Sequence, residues 1–314
     1  MSNLPLEHHH LNTHARHREK SLTALLWTAR FRWTAAGIVD QLLGGNGLAR
    51  QLIKRKLLVE HSISNPFSPV RYYVTLSNEG LELLHRCWPA IIRGEHGPVA
   101  LSLSSGWSLP ARPEHRIREA RFEHDLQVQS LLARNFREGE QIESIRLADD
   151  LERAPLDKRP SKIPDIIIDF AADHAKGEDT KYTLWGEIEY SRKNQREIDM
   201  FCAYYLGALA GISECKFDGF NMFCHESVLA QWRRDFGRSI VPKWHFRKAT
   251  RDWVRLYPKD WYHFPSFSPE EINAIIRPLP SAPKKQATHS RGREGGGLQR
   301  QANLHCSPAS RRQG

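Results

Sequence analysis

The chain contains few cysteines, and their spacing does not indicate a disulfide framework. They are odd in number and scattered: Cys87, Cys202, Cys215, Cys224 and Cys306. We therefore expect reduced thiols. Cys215 and Cys224, which precede His225, lack the CxxC spacing of a structural zinc site, so the pattern argues against a zinc-binding class of protein.

The sequence also lacks a long apolar run. No stretch approaches the roughly 20 apolar residues that a membrane-spanning helix requires. The N-terminus, with Glu7 and a run of histidines, lacks the apolar segment of a signal peptide. We therefore expect a cytoplasmic protein without membrane insertion.

Acidic residues are fewer than basic ones. The 314-residue chain has 36 Asp and Glu against 46 Lys and Arg, which gives a formal net charge of +10 and a sequence pI of about 9.5. Such a balance favours phosphate-bearing partners, nucleic acid above all. Charge alone leaves open a basic soluble protein with no such partner.

Composition divides the chain into regions. Residues 1–18 and the basic stretch 281–314 lack periodic apolar positions, so both ends are expected to be disordered. Glycine, proline and serine are frequent in residues 93–113, which indicates a linker. At this length we expect two modest domains with separate cores, one over residues 19–92 and one over 114–280.

The pattern of residues 19–92 predicts three helices, a hairpin and a closing helix. Thr34 is placed to cap the second helix, and a glycine-rich turn precedes a third helix over residues 48–56. Two strands are expected over residues 57–62 and 71–76. Helix, tight turn and helix is typical of a DNA-reading motif.

This order resembles the winged helix-turn-helix family over about residues 20–90. Segment 71–81 looks like the second wing strand and the closing helix of that family. In such domains the third helix enters the major groove and the wing touches phosphate. The DNA contacts expected from the resemblance are Arg50, Gln51, Lys54, Arg55 and Arg71. A winged helix used for protein contacts is the alternative.

Three acidic residues of the central region are expected to converge. Asp165 precedes the apolar run 166–170, and Glu187 and Glu189 belong to a second strand-like run over residues 185–191. Because side chains alternate between the two faces of a strand, Glu187 and Glu189 share a face, and their charges need a neutralising cation. Oxygen ligands favour Mg²⁺ or Mn²⁺, and such a metal at acidic strand ends is typical of phosphodiester cleavage.

Two helices are expected to flank these strands. The first spans residues 115–136 and carries His124 and Asp125 beside its apolar stripe, where a histidine is more often packed than a ligand. The second is expected to begin near Ser191, so that its first turns contain Arg192, Lys193 and Arg196. Positive charge at a helix N-terminus indicates a bound anion such as phosphate. The alternative is that glutamates balance these cations: Glu187, Glu189 and Glu197.

The order of strand, loop, acidic strand and basic helix resembles the PD-(D/E)xK restriction-endonuclease-like fold. The Pro-Asp pair ending at Asp165 matches its first motif, and segment 187–189 stands at its second, with Glu189 in the lysine position. Lys193, four residues on, is placed to swing an ammonium group back toward the site. The expected fold class is therefore α+β, an N-terminal winged helix followed by an α/β restriction-endonuclease-like domain.

Taken together, these motifs are similar to the MobC-type relaxases and related replication–relaxation proteins of mobile plasmids, over roughly residues 20–210. The resemblance implies a nickase that binds double-stranded DNA at an origin of transfer and cleaves one strand with Mg²⁺ or Mn²⁺. Single-stranded DNA and mobilisation or coupling proteins are further expected partners. By match, the metal ligands are Asp165, Glu187 and Glu189, and the site also includes His124, Asp125, Ser191 and Lys193. Arg192 and Arg196 are expected to contact phosphate.

Other functions stay open. Glu189 in place of lysine leaves open a non-catalytic regulator with a decayed nuclease fold, and a replication or partition accessory protein is a second rival. Tyr190, Tyr204 and Tyr205 leave a covalent mechanism open, although Tyr205 fits a buried stripe. Aromatic and basic residues interleave over 243–264, which is typical of either a stacking platform for single-stranded DNA or a segment that covers a sheet.

Overall fold

The structure is a computed structural model. It describes residues 13–45, 47–63, 68, 70–95, 107–115, 121–137, 142–153, 162–172, 180–211 and 217–280. Outside this range lie the predictions for both chain ends, most of the linker and two cysteines: residues 1–12, 96–106 and 281–314, Cys215 and Cys306. The architecture is mixed α+β, as expected. None of the helices in the described ranges is both long and apolar enough to cross a membrane.

The N-terminal region consists of four helices and a hairpin. Its elements are α1 (Thr13–Phe31), α2 (Ala36–Leu43), α3 (Leu48–Lys54), β1 (Leu58–Ser62), β2 (Tyr72–Leu76) and α4 (Asn78–Ile92). The strands β1 and β2 pair antiparallel. Ser77 caps α4, since its hydroxyl accepts a hydrogen bond from the Gly80 N–H at 2.9 Å. Because α1 begins at Thr13, the expectation of disorder is wrong for residues 13–18.

The turn between α2 and α3 depends on glycine. Gly44 and Gly47 have φ angles of 62° and 82°, which strain a residue with a β-carbon. The Asp40 carboxylate accepts a hydrogen bond from the Gly47 N–H at 3.1 Å. Thr34 does not cap α2, contrary to the prediction. Its backbone instead pairs with Val74 of β2, at N···O distances of 2.9 and 2.8 Å, and ties the entry of α2 to the hairpin.

The central region is built on a mixed five-stranded sheet in the order β11-β6-β5-β4-β3. Its elements are α5 (Phe122–Arg137), β3 (Ile142–Leu147), α6 (Ala148–Arg153), β4 (Ile166–Phe170), β5 (Tyr182–Glu189), α7 (Gln195–Leu209), β6 (Gly219–Cys224), α8 (Glu226–Phe236), β7 (Ile240–Val241), β8 (Trp244–Arg247), β9 (Asp252–Arg255), β10 (Tyr262–His263), α9 (Pro269–Ile275) and β11 (Ile276–Pro278). The strands β3, β4 and β5 form an antiparallel meander. The helix α7 then crosses over to β6, which runs parallel to β5, and β11 extends the sheet in parallel. Two small hairpins, β7 with β10 and β8 with β9, lie outside the sheet.

Alternation along the strands supplies apolar side chains to both faces of the sheet. Ile167 and Trp185 belong to a cluster that α7 and α8 cover, whereas Ile166 and Ile188 belong to a cluster that α1, α2, α4 and α5 cover. Burial on both faces explains why β4 reads as a near-continuous apolar run.

The second of these clusters extends from the N-terminal helices into the sheet. The Trp27 indole N–H donates to the Gln129 side-chain oxygen at 3.1 Å, and Arg30 forms a buried ion pair with Asp150. The helix α2 packs directly on α5. The expectation of separate cores is therefore wrong, because periodicity identifies a buried face but not the element that covers it.

Candidate active site

Strand pairing brings three acidic residues to one end of the sheet. The pairing of Ile166 with Gly186 places Asp165 opposite Glu187, at the point where β4 begins. Glu187 and Glu189 lie on one face of β5 and are 2% and 5% exposed. The structure thus brings the predicted acidic group together.

Asp165 is held by the neighbouring strand and by α5. Its Oδ2 atom accepts a hydrogen bond from the Ile188 N–H at 2.8 Å and lies 2.9 Å from His124 Nε2. Burial raises the pKa of Asp165, but the hydrogen bond and charge of His124 outweigh burial and bring the pKa below its ordinary value. Asp165 is therefore an ionised, oriented carboxylate at neutral pH.

His124 bridges two carboxylates. Its Nδ1 atom lies 3.2 Å from Asp125 Oδ1, while Nε2 faces Asp165. Burial lowers the pKa of His124, but the hydrogen bonds and charges of Asp125 and Asp165 raise it to about 9. The imidazole is therefore cationic near neutral pH. A cationic ring has no free lone pair for a metal, so His124 acts here as a positive partner that orients Asp165.

Glu187 lies at the centre of the group. Its Oε1 atom accepts hydrogen bonds from Lys162 Nζ, at 3.0 Å, and from the Tyr205 hydroxyl. Burial and the nearby charge of Asp165 raise the pKa of Glu187 to about 7, although Lys162 and Tyr205 oppose the rise. A carboxyl group that exchanges its proton near neutral pH is suited to bind a cation or to accept a proton.

Glu189 pairs with Lys193, four residues further on. Lys193 Nζ donates a hydrogen bond to Glu189 Oε1 and lies 5.4 Å from the ring centre of Phe201. Burial raises the pKa of Glu189, and the charge of Lys193 opposes this rise. The ammonium group thus lies at the acidic strand end, as the spacing predicts.

Two further residues belong to this group although the sequence patterns did not place them there. Lys162 lies in the segment before β4, three residues ahead of Asp165, and strand periodicity says nothing about such a position. Tyr205 fits the buried stripe predicted from the sequence, and it is fully buried. A buried tyrosine hydroxyl requires a polar partner, and this requirement is the sequence signal that could have linked Tyr205 to the acidic group. In the structure the partner is Glu187.

The tyrosines near the site are not activated as nucleophiles. Burial and the charge of Glu123 raise the pKa of Tyr190 to about 12. Burial and the contact with Glu187 raise the pKa of Tyr205 well above its ordinary value. A covalent mechanism through either residue is therefore not favoured.

The basic segment before α7 differs from its prediction. The helix begins at Gln195, where Asn194 caps it by accepting a hydrogen bond from the Glu197 N–H at 3.0 Å. The expected start near Ser191 is wrong, and three of the expected residues precede the helix: Ser191, Arg192 and Lys193. Arg196 lies in the first turn, 3.8 Å from Glu197, so the charge of this turn is balanced. The helix macrodipole therefore gives little reason to expect an anion here.

The helix α3 turns its polar side chains outward. Ala49 and Leu52 are buried against the core, whereas Leu48 and Ile53 are half-buried. The predicted DNA contacts are all exposed: Arg50, Gln51, Lys54, Arg55 and, just before β2, Arg71. This basic face is a second candidate site.

A cavity of about 480 Å³ opens beside the acidic group. The end of α1, residues 107–111, Glu114 and parts of α5 and α6 line it, and it reaches His124 and Asp165. Its volume is typical of ligand pockets. Through this cavity a ligand can reach Asp165 from the side on which α1 lies.

The donor atoms of the acidic group suit a hard divalent cation, because Asp165, Glu187 and Glu189 all offer carboxylate oxygens. Across the described residues, however, no three His, Cys, Asp or Glu side chains are grouped as metal ligands. The carboxylates are instead paired with positive side chains: His124, Lys162 and Lys193. Metal binding at this point requires the lysines to leave their carboxylates.

Comparisons with protein-family models, with curated proteins and with solved structures found no match to this chain.

Proposed function

We propose that this protein is a metal-dependent DNA nickase of the relaxase type. The proposal is carried by one observation: Asp165, Glu187 and Glu189 meet at the ends of two paired strands, in contact with Lys162 and Lys193. Carboxylates that can hold a divalent cation, next to ammonium groups that can hold a phosphate, are the groups required for phosphodiester cleavage.

The order of the elements supports a PD-(D/E)xK-like nuclease domain. Asp165 at the start of β4, a loop, the two glutamates of β5 and then α7 follow in the order on which the resemblance rests. Likewise, three helices, an antiparallel hairpin and α4 follow in the order of a winged helix-turn-helix domain. Both assignments are part of the proposal.

In the proposed reaction the three carboxylates would hold Mg²⁺ or Mn²⁺, and the cation would supply Lewis-acid chemistry for phosphodiester cleavage. Lys162 and Lys193 would exchange their carboxylate partners for the phosphate and neutralise its developing charge. His124, itself held by Asp125, fixes the orientation of Asp165. Ser191 is exposed two residues before Lys193, and we propose that it contacts the same phosphate.

Recognition is assigned to the basic face of α3. We place α3 in the major groove of double-stranded DNA at an origin of transfer, with Arg71 of the hairpin on the phosphate backbone. Arg192 and Arg196 would contact phosphates near the cut. Mobilisation or coupling proteins of the same mobile element are further proposed partners, and the cytoplasm is the proposed location.

Asp165→Asn tests the catalytic part of the proposal. The asparagine oxygen can still accept the Ile188 N–H, so the fold and duplex binding should persist, while nicking should be lost because a carboxylate ligand is gone. The measurement is relaxation of supercoiled plasmid carrying the element's transfer region, with Mg²⁺ or Mn²⁺ added. Mn²⁺ binding is followed by calorimetry on the same protein.

Glu82→Gln is the matched control, since it neutralises an exposed acid of α4 outside the site. It should nick as the unaltered protein does. Full nicking by Asp165→Asn, together with unchanged Mn²⁺ binding, would remove Asp165 from the site and with it the proposed chemistry. Circular dichroism distinguishes lost chemistry from lost folding.

A non-catalytic DNA-binding regulator or replication accessory protein is the second candidate. It is favoured by the lysine and histidine partners that already neutralise the three acids without a metal. Under this alternative the unaltered protein binds duplex DNA through α3 but neither binds Mn²⁺ at the acids nor relaxes plasmid. The same two measurements therefore separate the candidates.

A further inference from the structure

The β8–β9 hairpin is rich in basic and aromatic side chains. Residues 243–259 contain six lysines and arginines against one acidic residue, Asp252. Both strands are largely exposed. An isolated two-stranded hairpin is marginally stable in water, so it needs an anchor or a partner.

The anchor is α7. The Trp244 indole N–H donates a hydrogen bond to Asp199 Oδ2 at 3.0 Å. Asp199 is fully buried and also accepts hydrogen bonds from Arg238 and Gln195, each at 2.9 Å. The base of the hairpin is thus fixed to the second turn of α7.

The face of the hairpin that carries Trp244 also carries an exposed aromatic pair. Phe246 and Trp253 are direct cross-strand partners with ring centres 5.3 Å apart, and they are 40% and 36% exposed. The Arg196 guanidinium lies over Trp253 at 5.4 Å. Two neighbouring rings beside a cation match the groups that hold stacked bases and a phosphate backbone.

This aromatic pair is continuous with the acidic site. Lys193 contacts Glu189, and Arg196 contacts Trp253. Even if fully extended, the three residues from Lys193 to Arg196 span at most about 10 Å. A chain of phosphates that passes Lys193 therefore reaches Arg196 and the aromatic pair within a short distance.

We propose that the β8–β9 hairpin binds single-stranded nucleic acid, with bases stacked on Phe246 and Trp253 and phosphates on Arg196 and Lys248. The binding chemistry follows from the hairpin and the adjacent Arg196 of α7. Its task, to hold the strand that leaves the nicked position, rests on the proposed function.

The test measures the affinity of the full chain for a fluorescently labelled oligothymidylate, by anisotropy and without metal. Phe246→Ala combined with Trp253→Ala should weaken binding by about tenfold or more, because each stacked base contributes roughly a 5- to 150-fold factor. Affinity for a blunt duplex should change by less than about twofold on the same scale. Ile92→Ala removes an exposed apolar side chain of α4 and is the matched control.

A second variant leaves the aromatic pair intact and so guards against simple loss of the hairpin. Arg196→Ala combined with Lys248→Ala should lower the salt dependence of oligothymidylate binding by a slope of about 1.4, since each lost phosphate contact on a single strand accounts for about 0.7. Unfolding temperatures of both variants are compared with that of the unaltered protein.

Unchanged oligothymidylate affinity and salt dependence in both variants would overturn the proposal and show that the aromatic pair only stabilises the hairpin. Loss of binding to vesicles containing phosphatidylserine, with oligothymidylate binding unaffected, would overturn it in favour of a lipid surface. Plasmid nicking is scored separately. If oligothymidylate binding depends on the hairpin but the plasmid is not nicked, this inference holds and the proposed nickase is refuted. If the plasmid is nicked but oligothymidylate binding does not depend on the hairpin, the nickase holds and this inference is refuted.

Discussion

The basic face of α3 and the acidic group at the end of β4 and β5 expose their charges to solvent very differently. Arg50, Lys54 and Arg55 are exposed on α3. Glu187 and Glu189 are almost completely buried, and each contacts a lysine. The exposed cations of α3 are accessible to a large anion. The buried charges of the acidic group instead neutralise one another.

The difference decides how each region responds to a substitution. Exposed charges are screened by water and salt, so each of them acts nearly alone and contributes little to the free energy of unfolding. Buried charges share a low-dielectric space, so removal of one changes the pKa of the others. The following variants test this contrast.

The largest effect is expected for DNA binding by the α3 face. Arg50→Ala combined with Lys54→Ala should weaken specific binding by roughly 1–3 kcal/mol for each lost base contact. The free energy of unfolding should stay within about 0.5 kcal/mol of its original value, because both side chains are exposed. Affinities for cognate and scrambled duplexes are measured across a salt series.

Arg86→Ala, which removes an exposed cation from α4, is the control for net charge. It should leave the ratio of cognate to scrambled affinity unchanged. If the α3 variant also keeps its full cognate preference, α3 is not the reading helix and specificity belongs to the central region.

A smaller effect, on stability, is expected at the acidic group. Lys162→Met removes the cation that contacts Glu187, and a buried charge without its partner is costly. Because Lys162 is about one-third exposed, we expect a loss of about 2 kcal/mol at pH 8 rather than the full cost of a buried pair. At pH 5 the loss should be much smaller, since Glu187 is then neutral. Equal losses in urea denaturation at both pH values would contradict the contact.

The smallest effect is the pH dependence that Glu187 itself produces. Its pKa rises on folding from 4.5 to about 7, so between these values the folded protein holds a proton that the unfolded chain has released. The free energy of unfolding therefore falls as pH rises through this window. Glu187→Gln should remove that fall, which amounts to about 1 kcal/mol for each pH unit between pH 4.5 and 6.5. Denaturation curves across this range measure it, and identical slopes for both proteins would refute the assignment.

The pH range of this measurement must end near pH 6.5, because above that pH the titration of His124 also lowers the free energy of unfolding. Its pKa rises on folding from 6.5 to about 9, so its stabilising contribution is complete below pH 6.5 and is lost as pH rises through 9. The comparison between the unaltered protein and Glu187→Gln isolates the glutamate.

Much of the acidic group follows from local rules. Alternation along a strand puts Glu187 and Glu189 on one face, and the four-residue spacing brings Lys193 back to Glu189. The predicted start of α7 near Ser191 is too early, because the apolar stripe does not show at which residue the first turn begins. The cap that marks the first turn is Asn194. A capping residue followed three positions later by Glu197 was the missed sequence sign.

Other features depend on contacts between distant parts of the chain. Lys162 precedes a strand and has no periodic neighbour, so only the fold shows that it contacts Glu187. Thr34 has the chemistry of a cap, yet the hairpin competes for its backbone through Val74. Similarly, nothing in the spacing of α2 or α5 indicates that they pack on each other, which is why separate cores were expected.

The buried pair of Arg30 with Asp150 joins α1 to the segment that follows β3. Under the proposed function this pair would help to fix the distance between reading and cutting, because it anchors α1, on which the proposed reading helix α3 packs, to the central region. DNA turns once in about 10–10.5 base pairs, so one extra base pair between the recognised sequence and the cut rotates the scissile bond by about 35°. Because one core cluster joins the N-terminal helices to the sheet, the two regions would not follow that rotation independently, and under the proposed function the fold would set the position of the cut.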